Sequence, residues 1–326
     1  AIGASFVITQ YHTSIMFAPN VVGTANAASA GWGNAGGGAT QALMPLLLSA
    51  IVMFGVEQAM GWRIALLVPG LMMVIVGCLY WKFTQDCPQG NFKELRAQGI
   101  SVGSDKKGGM AILMHAARNY RVWILFGAYA ACFGIEIFIH NIVAMYYVDT
   151  FKFGLKEAGM AAGIFGLLAL FARALGGIVS DKVALKKGLD GRTKVLFSMI
   201  LLEGLFLIVF SQMNSAMLAI LTMTVFALFT HMACGATYAL VPFIDRDALG
   251  GVAGIIGAGG NVGAVAAGFL LKGMLDIQTT LMVLGGLVVI AASCVLMIRF
   301  SVEHKEKEQR LFEQAVHERN MAEAQN

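Results

Sequence analysis

The sequence places Arg173 in the run Phe171-Ala172-Arg173-Ala174-Leu175, inside a stretch of apolar and small residues long enough to cross a membrane. A guanidinium keeps its proton under all ordinary conditions. Near mid-membrane it costs at least ~2.5 kcal/mol on insertion scales, so it needs a carboxylate partner or an anionic ligand. Glu136 and Glu203 are the carboxylates at membrane depth that could form a structural ion pair with it. The other reading is a bound anion, and the rigid fork of guanidinium donors suits a planar oxyanion.

Glu136 and His140 stand four residues apart and share a helix face. A titratable pair at that depth can relay protons, and Glu203, His12 and His231 are further candidates; the plainer reading of each is a satisfied packing role. Tyr129 and Phe133 precede Glu136 on the same helix at the same spacing. An aromatic stripe of this kind belongs either to a core or to the walls of a dry slot. Asn34 and Asn261 put amides where an unmatched polar group is costly, so they bond between helices or line a polar path. Asp181 ends an apolar helix and is followed by a basic loop ending at Arg192. The two could form a gating salt bridge, or the loop could simply carry topological charge.

These side chains need a frame. The chain has 326 residues, 58% hydrophobic and only 13% charged, too little polar surface for a soluble globule and too much apolar area for disorder. Five scattered cysteines exclude a disulfide scaffold and a metal site of CxxC type. A net charge of +4 is too small to suggest nucleic acid. The expectation is an all-α membrane protein with spans near 1–17, 22–54, 62–82, 120–148, 157–180, 195–212, 215–241, 250–272 and 279–299, nine in all, where a bilayer requires ~20 residues and the 22–54 run is too long for one untilted helix. The stretches 83–118 and 301–326 read as soluble. Alternating the loops puts eighteen of the 23 Lys and Arg residues on one side and four on the other. The richer side, with the C-terminus, is then cytoplasmic.

Gly31-Trp32-Gly33-Asn34-Ala35-Gly36 spells G-x-G-x-x-G, but neither a preceding strand nor a following acidic residue is present, so a dinucleotide site is excluded. Gly31, Gly33, Gly36, Gly37, Gly260 and Gly263 instead suit close helix packing in lipid. Gly33-Asn34-Ala35-Gly36 and Gly260-Asn261-Val262-Gly263 lie six expected helices apart, each followed by one more helix and a charged stretch. That is the pattern of two parallel six-helix repeats. It predicts twelve helices in the intact protein, with three preceding Ala1. The expected parts are 1–82, the second part of the first bundle; 83–118, a cytoplasmic central loop; 119–300, the second bundle; and 301–326, a charged cytoplasmic tail.

The segment Ala30 to Gln41 resembles the first signature of the nitrate/nitrite porter family of the major facilitator superfamily, and Gly257 to Gly263 resembles its second. Gly177 to Arg192 is similar to the superfamily's cytoplasmic loop motif, and the likeness runs over nearly the whole chain. The resemblance implies a central site between two halves. In it Arg173 matches the second-half arginine that grips the anion, Tyr129 and Phe133 match flanking aromatics, and Phe6 matches the first-half aromatic. Asn34 and Asn261 match the signature asparagines. A second family arginine would lie on a helix before Ala1. The function expected is a transporter, not an enzyme, moving nitrate or nitrite across the inner or plasma membrane by alternating access as a monomer. Glu136 and His140 would be the proton-coupling residues and no cofactor or metal is needed. Nitrate/nitrite exchange is the alternative, and a non-transporting nitrate sensor a more distant one.

Overall fold

The computed structural model describes residues 2–99, 108–273 and 276–324. Among these, nearly all regular structure is helical, and the only β pairing is an isolated bridge between Cys87 and Gly90. The order is α1 (Ile2–Met16), α2 (Val22–Met53), α3 (Gln58–Phe83), α4 (Phe92–Ala97), α5 (Gly109–Ala117), α6 (Tyr120–Tyr129), α7 (Ile135–Phe151), α8 (Leu155–Leu167), α9 (Ala169–Ser211), α10 (Ala216–Leu240), α11 (Leu249–Lys272), α12 (Ile277–Val295) and α13 (Val302–Ala324).

Seven stretches among the described residues are long and apolar enough to cross a membrane: 22–53, 58–83, 120–151, 155–211, 216–243, 249–272 and 277–295. Nine spans were expected, and two differences account for the count. α1 has 15 residues, short of a full crossing. The expected spans 157–180 and 195–212 fall in the single stretch 155–211, because the intervening loop is itself wound into helix. The chain breaks only at Gly188, whose φ of 54° and ψ of −144° leave the helical region. A positive φ favours glycine there. The break brings Arg192 back against Asp181.

α6 and α7 form one continuous crossing joined by a π-helical turn, Ala130–Gly134. Such a turn adds one residue to the coil and rotates all of α7 by about 100° relative to an uninterrupted helix. Phe133 lies in this turn, between Tyr129 and Glu136. The central loop has little structure of its own apart from the short α4 and α5, and its residues 100–107 lie outside the described residues.

The helices of residues 119–300 are drawn together where they lack side chains. α9 packs along α10, α12 and α2. At one crossing a Cβ on Gly204 would lie 2.8 Å from the Gly285 carbonyl oxygen, and one on Gly285 would lie 2.9 Å from that of Gly204. Overpacking a tight contact costs about 1–3 kcal/mol. We therefore expect Gly204→Val to lower the unfolding midpoint of the detergent-solubilised protein; an unchanged midpoint would mean that α9 and α12 can part at no cost.

At the N-terminal end of α12, Asp276 caps the helix. Its side chain accepts from the Thr279 backbone N–H at 2.9 Å and from the Thr279 hydroxyl at 2.6 Å, which holds its carboxyl below the ordinary value. The charged tail forms α13 and folds back on the chain. Arg246 grips Glu308 with two bonds of 2.8 and 2.6 Å, Lys305 reaches Asp190 at 2.7 Å, and His304 meets the Phe243 carbonyl at 2.9 Å. α13 thus ties the Gly188 break to the turn after α10.

Candidate functional site

Arg173 is wholly buried on the first part of α9. Small residues from two neighbouring helices press on it. Gly31 of α2 lies so close that a Cβ there would stand 3.1 Å from the Arg173 Cβ, and Gly235 of α10 lies directly against the Arg173 backbone. The guanidinium bonds through Nη2 to Oε2 of Glu136 on α7, which is equally buried. Its carbon also sits 5.3 Å from the centre of the Phe133 ring, a cation–π arrangement. Among the described residues Nε and Nη1 have no aligned hydrogen-bond partner, and neither has the buried Tyr129 hydroxyl, although it lies beside the guanidinium. Buried donors without partners are rare and costly, so this arrangement has capacity for an acceptor.

Four aromatic rings stand beside this charge. Phe6 of α1 stacks on Phe133 at 5.9 Å and on Tyr129 at 6.4 Å, and Tyr129 stacks on Phe133 at 4.9 Å. Tyr238 of α10 meets Phe6 and Tyr129 edge-on at 5.3 and 5.1 Å. Phe133 is set in place from behind by α11. Gly260 lies directly against its ring, and Gly263 against the Ala130 backbone of the π turn. Any side chain at these two positions would push the turn away.

Other expected residues are placed differently. Asn34 donates to the Ala30 carbonyl of its own helix at 2.8 Å, and Asn261 is exposed; neither shares a contact with Arg173 or the four rings among those seen. On these helices it is Gly31 that lies against the Arg173 Cβ and Gly260 that lies against the Phe133 ring. Among the described residues a Cβ at Gly33 or Gly36 would meet nothing within 4 Å, whereas Gly23, Gly31 and Gly38 of α2 are tightly packed. Gly37 faces His140, whose Cε1 would lie 3.3 Å from a Cβ there. His140 itself makes no ring hydrogen bond. His12 lies apart, bonded to the Gln85 carbonyl at 2.7 Å and the Tyr80 hydroxyl at 2.8 Å. Glu203 is buried in α9, with Cys132, Thr230 and Glu136 as its electrostatic neighbours.

Two residues of the site, Cys234 and Tyr238, went unassigned to it in the sequence, and His231 stood there only as a further proton-relay candidate. They follow one another on α10 at three- and four-residue steps, which puts them on one face. His231 Nδ1 lies 3.3 Å from Glu136 Oε2, and Cys234 Sγ lies 3.5 Å from the same oxygen. That face was legible as a periodicity, but its residues alternate with other small and polar ones that hide it.

Asp181 and Arg192 form a second cluster away from Arg173. Arg192 Nη1 bonds Asp181 Oδ1 at 2.6 Å, and its guanidinium sits 4.7 Å from the Phe243 ring centre. The other carboxylate oxygen accepts from the backbone N–H and the hydroxyl of Thr24, both at 2.6 Å. Thr24 opens α2, whose preceding residue Val21 offers no capping side chain. The first N–H groups of a helix are otherwise unpaired and carry the positive end of its dipole. Asp181 supplies the missing cap from another helix. Removing the charge leaves Arg192 buried and unpaired, which costs about 3–5 kcal/mol when such a pair is broken. For Asp181→Asn we expect faster hydrogen exchange at the Thr24 amide; wild-type protection there would show that the ion pair does not hold the two helices together.

The family model described as Major Facilitator Superfamily matches residues 1–244. The chain is 40% identical over 291 residues to the high affinity nitrate transporter 2.5 of Arabidopsis thaliana, covering 89% of this chain and 57% of that protein. It is 39% identical to the high-affinity nitrate transporter 2.3 of Oryza sativa subsp. japonica, covering 82% and 51%. It is 24% identical to the nitrate/nitrite transporter NrtP of Nostoc punctiforme, covering 81% and 65%. The chain thus spans between half and two thirds of the length of these relatives.

Proposed function

The chain belongs to the Major Facilitator Superfamily, and from that premise we propose that it forms the larger part of a secondary transporter that carries nitrate across a membrane by alternating access. The observation that supports this reading best is the wholly buried Arg173, two of whose guanidinium nitrogens have no aligned partner among the described residues, beside the Tyr129 hydroxyl. A planar monovalent oxyanion can accept from a guanidinium fork with two of its oxygens. The ring stack of Phe6, Tyr129 and Phe133 offers flat walls for such a guest. Nitrate and nitrite are both of this shape, and the names of the relatives favour nitrate, with nitrite beside it.

The proposed cycle rocks one six-helix bundle against the other, with the C-terminus in the cytoplasm. The parts expected at 1–82 and 119–300 meet where α2 packs on α8, α9 and α10. Phe6 comes from one part and Arg173, Tyr129 and Phe133 from the other, so rocking would assemble and take apart the anion's surroundings. The Asp181 to Thr24 cap joins the same two parts and would break whenever that end opens.

Glu136 gives the cycle its coupling. It holds Arg173 Nη2 and competes with the anion for the guanidinium. Nitrate is the anion of a strong acid and cannot carry a proton at neutral pH. Import against a membrane potential then needs one proton per anion to cancel its charge and a further one for the potential to drive it, and protonating Glu136 frees the arginine at the moment the first is taken on.

The direct test uses the full-length protein in proteoliposomes. With an acidic outside and no internal anion, nitrate should accumulate, and an ionophore that removes the proton gradient should stop it. Uptake seen only with nitrite or nitrate inside would favour exchange. Specific nitrate binding without flux under either condition would favour a sensor.

A further inference from the structure

His231 is wholly buried on α10, and two contacts fix its state. Its Nε2 lies 2.8 Å from the backbone carbonyl oxygen of Phe165 on α8. A carbonyl oxygen only accepts, so Nε2 carries a hydrogen. The other nitrogen, Nδ1, has no aligned hydrogen-bond partner among the described residues but stands within ion-pair distance, 3.3 Å, of Oε2 of Glu136, the oxygen already engaged by Arg173. With Nε2 protonated, Nδ1 presents either a lone pair or a second hydrogen. A lone pair held against a carboxylate oxygen is repulsive, and burial removes the water that would screen it. One proton between the two atoms turns the contact into an attraction, whether it sits on Nδ1 or on Oε2.

We propose that His231 and Glu136 form a two-residue proton site, holding one proton between Nδ1 and Oε2, that loads together with the anion on Arg173. The proposal rests on the nitrate-transport reading above and adds the residue that carries its proton. With Arg173 positive, Glu136 negative and His231 neutral, the group has no net charge. One added proton makes it +1, and one bound nitrate returns it to zero. A buried site favours the neutral sum, so each ligand strengthens the binding of the other, and the strengthening is reciprocal. The proton enters from the outer side with the anion, leaves from Nδ1 or Oε2 to the inner side after the anion has gone, and the neutral group returns.

The groups that surround His231 narrow the assignment. On α7 they are Glu136 and His140, and on α9 they are Arg173 and, beyond Glu136, Glu203. α8 contributes the Phe165 carbonyl and ring, the ring 5.3 Å from that of His231. Cys234 shares the α10 face. Arg173 is permanently charged. His140 has no hydrogen bond at either ring nitrogen, so nothing holds a proton there in place. Of the two histidines, His231 alone has one nitrogen fixed as a donor and the other against a carboxylate.

The test is the pH dependence of nitrate affinity, measured by calorimetry on the purified full-length protein, with proton uptake followed by an indicator dye in weak buffer. The wild type should bind nitrate about tenfold more tightly per unit fall in pH on the alkaline side of its titration, and take up one proton per anion there. His231→Gln keeps a donor for the Phe165 carbonyl and lacks the titrating nitrogen. It should bind nitrate with a flat pH profile and no proton uptake, while His140→Gln keeps the wild-type slope. A wild type with no slope and no uptake, or an H231Q protein with the wild-type slope, would overturn the proposal and leave nitrate transport standing. Nitrate binding at no pH would overturn the transport reading itself. If H231Q does not fold, infrared difference spectra of wild-type protein with ring-labelled histidine read the same event. A nitrate-induced imidazole band supports the proposal, and its absence overturns it.

Discussion

Arg173→Lys is expected to abolish most nitrate uptake by the full-length protein while leaving membrane insertion intact. Lysine keeps the charge and can still satisfy Glu136, so the helices retain their ion pair. What it loses is the fork, since a compact ammonium cannot offer two parallel donors to a planar anion while bonding a carboxylate. A hydrogen bond to a charged group contributes about 1.5–3 kcal/mol, which corresponds to about tenfold to a hundredfold in affinity. The measurement is initial-rate uptake over a range of nitrate concentrations, normalised to protein in the membrane. Wild-type uptake by the lysine variant would make Arg173 an ion-pair residue only.

Glu136→Gln separates coupling from binding. Glutamine has nearly the same shape and can accept one bond from Arg173 through its carbonyl oxygen, but it cannot take on a proton. Nitrate accumulation driven by pH should collapse, whereas exchange of internal for external nitrate in proteoliposomes should persist. Exchange survives because the neutral amide competes more weakly than a carboxylate for the guanidinium. If both activities vanish with protein still folded, Glu136 shapes the anion site and does not couple it. If pH-driven uptake is unchanged, the coupling proton sits on a group other than Glu136.

Much of this arrangement can be read from residue types alone. A guanidinium in an apolar run demands a partner, and the sequence narrows the choice to Glu136, Glu203 or a ligand. The structure contains the first and leaves donors free for the last. The stacking of Tyr129 on Phe133 accords with their spacing, but the π turn between them has no such signal. Helical periodicity assumes a constant phase, and the turn shifts it just where the site is built. The asparagines show the opposite failure. Their polarity marks them out among apolar residues, yet on each helix it is a neighbouring glycine, Gly31 or Gly260, that meets the site. Proximity through absence of a side chain leaves no chemical mark in a sequence. The link from Asp181 to Thr24 joins residues 157 positions apart and could be found only in three dimensions.

The two glycines have a bearing on how such a protein can change its preferences. Where Gly31 backs the arginine and Gly260 backs Phe133, the enclosure is already at its widest. Every substitution at these two positions adds atoms, so variation there can exclude an anion but never admit a bulkier one. Broadening what is carried must begin with the rings of Phe6, Tyr129, Phe133 and Tyr238, which can be trimmed. Selectivity in this lineage should therefore drift through its aromatic residues while the glycines stay fixed.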